Sequence, residues 1–130
     1  MKNNCHTKYC RKPQQHGYFC YACKKREWRA THPLQDAFYN LRHSARRRDI
    51  PFLLSLVDFQ TLSCRYDYLN RRGKQAHSFT VDRIDSSKGY ALENLRVISN
   101  SDNVAKGNRE RALDHVWRKI CNVTKTENPF

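Results

Sequence analysis

The stretch Ser78 to Asn108, SFTVDRIDSSKGYALENLRVISNSDNVAKGN, constrains the fold more tightly than any other part of the chain. It reads as strand, turn, short strand, helix. Phe79, Val81 and Ile84 bring strand-forming, mostly apolar side chains. Asp85 to Gly89 is a turn cluster, with Gly89 free to take positive φ. Leu95 to Ile98 is a second short β-prone run. Ser99-Asn-Ser-Asp102 predicts a capping box that opens a helix, the Ser99 hydroxyl and the Asp102 carboxylate satisfying free N–H groups. Polar groups therefore fall on each arm of a small ββα unit: Asp82 on the first strand, Asn94 before the second, Asn103 on the helix.

The same residues resemble the ββα-metal core of HNH nucleases (the His-Me finger fold). The likeness is to the phage-borne variety that carries V-D-R-I-D-x-x-x-G-Y and then an Asn-Leu/Cys-Arg-Val segment. The resemblance implies an α+β fold with that core, flanking helices and an N-terminal zinc-binding module. It implies Asp82 and Asn103 as ligands of one divalent ion, Mg²⁺ or Mn²⁺, and Asn94 as the strap across the loop. Asn94 and Asn103 are nine residues apart, the spacing usual in that superfamily. DNA is the implied partner and phosphodiester hydrolysis the implied reaction.

At Arg83 the chain departs from the pattern, because the superfamily usually has a general-base His there. A guanidinium stays protonated, with a pKa above about 12, and cannot take a proton from water near neutral pH. It can instead bind a phosphate oxygen bidentately and steady developing charge. Candidates for the activating group lie upstream: His77, Tyr66 and Tyr68. A histidine side chain is suited to act as a base near neutral pH. On an extended strand His77 shares a face with Arg83; the competing reading is an incidental histidine at a strand end. Asp85 is an extra ligand or the first turn residue, and the turn is favoured.

Composition sets the bounds. The 130 residues are one domain's worth of chain, with room for a small appended module. Only 38% of residues are hydrophobic, so the core must be modest and a metal staple would help. Lys plus Arg number 25 against 12 Asp plus Glu, a formal charge of +13. That excess suits a polyanion held through phosphate contacts and released counterions. No signal-like segment is visible, and the longest apolar run, Ile50 to Val57, is too short to cross a bilayer. The expectation is a cytoplasmic protein with no membrane partner, where six cysteines point to metal rather than disulfides.

Cys5, Cys10, Cys20 and Cys23 form C-x4-C-x9-C-x2-C, a spacing that suits a structural Zn²⁺ site; the alternative is four reduced buried thiols. His6 and His16 are possible substitute ligands. Lys24, Lys25, Arg26 and Arg29 follow, placed to lie on phosphates. A helix starts at Thr31-His-Pro33, with Leu34, Ala37, Phe38, Leu41 and Ala45 as its apolar stripe. Arg42, Arg46, Arg47 and Arg48 crowd its end, as a DNA-contacting patch or a solvated face. Pro51-Phe-Leu-Leu fits a strand and Ser55-Leu-Val-Asp58 the cap of a short helix. Arg71, Arg72 and Lys74 form a basic turn, and with Lys106 they complete the DNA-binding set.

Past the core, Arg109 to Cys121 predicts a separate final helix, broken from the core helix by Gly107 and Asn108. Its stripe of Leu113, Val116, Trp117 and Ile120 is expected to pack back on the domain, a dimer seam being the alternative, and Cys121 reads as small and buried. The chain thus divides into a four-cysteine zinc module at 1–30, a basic helix and short strand/helix connector at 31–62, a ββα core with its C-terminal helix at 63–121, and a flexible tail at 122–130. The function that follows is a metal-dependent DNA endonuclease, monomeric or homodimeric. The rivals are a DNA-binding protein of the same fold that cuts weakly or not at all, and a basic inhibitor of a host enzyme.

Overall fold

The computed structural model describes residues 3–15 and 17–126, with side chains as far as residue 122. His16 and the end of the tail lie outside the described residues. The architecture is mixed α+β: helices α1 (Tyr21–Thr31), α2 (Pro33–Arg47), α3 (Leu56–Tyr66) and α4 (Tyr68–Arg71), then strands β1 (Phe79–Arg83) and β2 (Leu95–Ser99), then helix α5 (Asn100–Thr126). The strands pair antiparallel with Val81 opposite Val97 and Asp82 opposite Arg96. No helix among the described residues is long and apolar enough to cross a membrane.

Local chemistry accounts for most boundaries. Pro33 stands at the first position of α2, where its missing N–H costs nothing. Ala37, Phe38 and Ala45 of the expected stripe are buried, and Leu34 and Leu41 pack beside them. Ser55 and Asp58 form a full capping box on α3. One core cluster joins these helices to the sheet through Phe38, Phe59, Leu62, Val81, Tyr90, Leu95 and Val97. The connector at 31–62 and the ββα stretch therefore share a single interior.

Several expectations need correction. α1 is an eleven-residue helix that contains Cys23, in a segment read as the end of the cysteine module and the basic run behind it. Pro51 to Leu54 forms no strand; Phe52 makes one isolated parallel bridge to Tyr90. Ser99 does accept from the Asp102 N–H at 3.1 Å, but the Asp102 carboxylate takes its hydrogen bond from the Ser99 hydroxyl rather than from backbone. Gly89 is not a positive-φ residue, Gly17 being the described glycine with that geometry. What Gly89 provides is close approach: a Cβ there would meet the Pro51 carbonyl oxygen at 2.5 Å. The Tyr90 N–H donates to that carbonyl, and the Leu53 N–H to the Tyr90 carbonyl.

The largest difference is α5. Residues 100 to 126 are one continuous helix of 27 residues with no break at Gly107. A glycine inside a helix costs only about 1 kcal/mol, too little to stop it without a proline or a left-handed cap. Beyond Glu110 the helix leaves the domain behind: Leu113, Val116, Trp117 and Ile120 are all about half exposed or more, and Cys121 is exposed too. The expected packing of that stripe onto the domain is absent.

Candidate functional site

Asp82 lies in the middle of the hairpin, buried, its carboxylate pointing toward α5. The strand register sets Arg96 directly across, and the Arg96 Nε donates to Asp82 Oδ2 at 2.9 Å. Lys106, one turn past Asn103 on α5, donates through Nζ to Asp82 Oδ1 at 2.9 Å and Oδ2 at 3.1 Å. The same ammonium also bonds to the Arg83 carbonyl. With its side chain only 12% exposed, Lys106 acts as a cation fixed between a carboxylate and a carbonyl oxygen.

Asn94 ends the short 3-10 turn before β2 and is buried. Its Oδ1 accepts from the Asp85 N–H at 2.9 Å, and its Nδ2 donates to the Asp85 and Gly89 carbonyls at 3.1 and 2.9 Å. One amide thus ties both ends of the 85–89 loop. Asp85 serves that loop as its first turn residue: Oδ1 accepts from the Ser87 N–H and hydroxyl. Hydrogen bonding to the Ser87 hydroxyl and then to its N–H holds the Asp85 carboxyl below the usual range. Its carboxylate is accounted for without a ligand role.

Asp82 and Asn103 line one cavity of about 310 Å³, together with Arg48, Arg83, Tyr90, Lys106 and Glu110. Each wall has a plain origin. Leu41 and Ser44 come from one face of α2, and Arg48, the residue that caps its C-terminus, joins them. Asn103, Lys106, Gly107 and Glu110 fall at i, i+3, i+4 and i+7 on α5, a single helical face. Arg83 donates to the Ser86 and Lys88 carbonyls at 2.8 and 2.7 Å and lies over the Tyr90 ring. Arg48 donates to the Tyr90 hydroxyl at 2.7 Å. Glu110 accepts from the Ser86 hydroxyl at 2.7 Å and lies 3.8 Å from the Lys106 Nζ.

Carboxylate, amide and carbonyl oxygens in one cavity are the donors a hard divalent ion takes. Any ion entering would compete with Lys106 for the carboxylate. Sequence reasoning missed Tyr90, Arg96 and Glu110. The helical period counted from Asn103 would have found Glu110, and the hairpin register would have found Arg96.

Other candidates lie elsewhere. His77 is exposed in the turn before β1, not on the strand, and is not among the residues lining the cavity. Tyr66 and Tyr68 pack against the core, where burial raises the Tyr68 phenol pKa. The Arg42 to Arg48 cluster divides: Arg48 faces the cavity, while Arg42 and Arg46 line a separate depression on the far side of α2 with Tyr39 and His43. Arg71 lies over the Phe79 ring, Arg72 is 3.7 Å from Asp36, and Lys74 is exposed.

The cysteine module is the second site. The Sγ atoms of Cys5, Cys10, Cys20 and Cys23 all lie within 4.8 Å of one another, so the group could hold a metal ion such as zinc. The Cys10 to Cys20 separation is 3.8 Å, which is about the edge of a tetrahedron with 2.3 Å metal–sulfur bonds. Within the cluster the thiols titrate against one another: hydrogen bonding with Thr7 pulls Cys5 down to about 6, while Cys23 is pushed up to about 11. His6 instead packs its ring on Tyr18, 4.9 Å between centroids.

Comparison with protein-family models, with curated proteins and with solved structures gives no match for this chain.

Proposed function

We propose that the chain is a metal-dependent endonuclease of the ββα-metal type, hydrolysing phosphodiester bonds in DNA. One observation carries the reading: Asp82 from β1 and Asn103 from α5 line one cavity, beside a loop strapped by Asn94. In this reading β1, β2 and the first turns of α5 are the catalytic core, and the four cysteines hold a structural Zn²⁺. Asp82 and Asn103 would hold Mg²⁺ or Mn²⁺, which when bound supplies Lewis acidity toward the phosphate. Arg48 on the cavity wall binds phosphate oxygens, and Arg83 adds the N–H groups its loop carbonyls leave over. Glu110 is the side chain lining the cavity that could take a proton from water, and His77 is not among the lining residues. The +13 charge draws the polyanion in.

A specific observation favours a second reading, a DNA-binding protein of the same design that does not cut. Lys106 and Arg96 already satisfy both oxygens of Asp82. One experiment separates the two: nicking of supercoiled plasmid with Mg²⁺, Mn²⁺ or EDTA by wild type, Asp82→Ala and Lys106→Met, with gel shifts in parallel. The expected result is divalent-dependent nicking by wild type that Asp82→Ala abolishes. Equal nicking by wild type and Asp82→Ala removes Asp82 from the mechanism. Nicking by Lys106→Met alone identifies the lysine as the block to the ion. DNA retained without nicking by any protein favours the second reading, and no DNA binding at all sinks both.

A further inference from the structure

α1 carries little of the protein's core. Of its eleven residues only Cys23 is buried. Tyr21, Lys24, Lys25 and Trp28 fall at i, i+3, i+4 and i+7, so aromatic and cationic side chains share one face. They line a shallow depression of about 380 Å³. Tyr21 is 58% exposed, with the Lys25 ammonium 5.8 Å from its ring centre, and Trp28 is 37% exposed.

The face continues onto α2. Trp28 stacks on His32 at 5.1 Å and 10°, and faces Tyr39 at 6.4 Å and 27°. Tyr39 is half exposed and joins Arg42, His43 and Arg46 in the next depression. The carboxylate between the helices, Asp36, is taken by Arg29 and Arg72. No ion pair joins Lys24, Lys25, Arg42 or Arg46 to a carboxylate among the described residues. Near-parallel rings ringed by cations with no internal counter-charge match the two needs of an unpaired nucleic acid strand: flat surfaces for bases and positive charge for phosphates. A duplex hides its base faces and offers this surface phosphates alone.

We propose that the α1–α2 face built on Trp28 and Tyr39 is a stacking platform for single-stranded nucleic acid. It is a surface separate from the Asp82 cavity, because Tyr39, Arg42 and Arg46 lie on the side of α2 opposite Leu41, Ser44 and Arg48. The proposal does not rest on cleavage: an inert protein on plasmid leaves it standing.

The test is fluorescence titration of the full chain without added Mg²⁺. Trp117→Phe makes Trp28 the sole reporter, since the chain has two tryptophans. Titrants are an oligo-dT of about 12 nucleotides, within the range one such surface covers, an oligo-U of equal length, a duplex of equal length, and poly-glutamate as a polyanion without rings. Oligo-dT is expected to quench Trp28. Tyr39→Ala, and Trp28→Ala followed by a dye on the oligonucleotide, should weaken single-strand binding by about fivefold or more, the size of one lost base stack. Duplex binding should change less than about twofold, and Trp28→Phe should keep most of the affinity. Ring dependence with either oligo-dT or oligo-U upholds the platform, and the tighter of the two names the backbone it prefers. Equal losses for single strand and duplex, no quenching, or poly-glutamate binding with the same ring dependence would overturn it.

Discussion

Gly89 is where a single methyl group would be felt most. The Pro51 carbonyl that its Cβ would strike also accepts the Tyr90 N–H, so neither side can give way cheaply. Gly89→Ala should cost about 1–3 kcal/mol of stability, read as a lower urea midpoint at unchanged slope. An unchanged midpoint would mean that the 51–53 segment can move aside. The sequence singled out this glycine but for a local reason, a turn, because its actual partner is far upstream. Asn94 was legible for the opposite cause: both carbonyls that it reaches, Asp85 and Gly89, belong to the loop beside it. Asp82 falls between. Its place on a strand could be read, but Lys106 and Arg96 become its partners only once hairpin and helix are folded together.

Helix α5 shows the limit of punctuation as a signal. Glycine followed by asparagine reads as a stop, yet the structure runs straight through, and Asn108 spends its Oδ1 on Arg111 Nη2 at 2.7 Å, one turn further along the helix. A methyl group at Gly107 would find its nearest neighbour at 3.8 Å, the end of a flexible arginine. Gly107→Ala should therefore raise stability by about 0.5–1 kcal/mol in thermal or urea unfolding. A loss of that size would instead show that α5 needs the glycine. The apolar stripe past Glu110 was correctly seen as a stripe. Periodicity identifies a face and is silent on what covers it, which is why the expected packing failed while the stripe on α2 met its core. α1 was missed for a related reason: with one buried residue it has almost no periodic signal, and its helix is set by the cysteine module at its start and Pro33 beyond its end.

At the level of the molecule there are two interiors. One is the cluster spanning α2, α3 and the sheet; the other is Cys5, Cys20 and Cys23 with Cys10 and Phe19 beside them. The second has too little apolar surface to hold itself together, so a metal would supply most of its folding energy. Stripping metal with a chelator under reducing conditions should expose the amides of residues 5 to 20 to hydrogen exchange while β1 and β2 keep their protection. Simultaneous loss in both regions would show that the module and the main core unfold as one.

The two sides of α2 differ in what they present, Arg48 toward the Asp82 cavity and Arg46 toward the aromatic rings. A fifteen-residue helix is a stiff rod, about 22 Å long. On the two proposals together it would be a spindle: a flexible polymer reaching both sides would have to bend around its girth, and a rigid one could occupy only one side at a time.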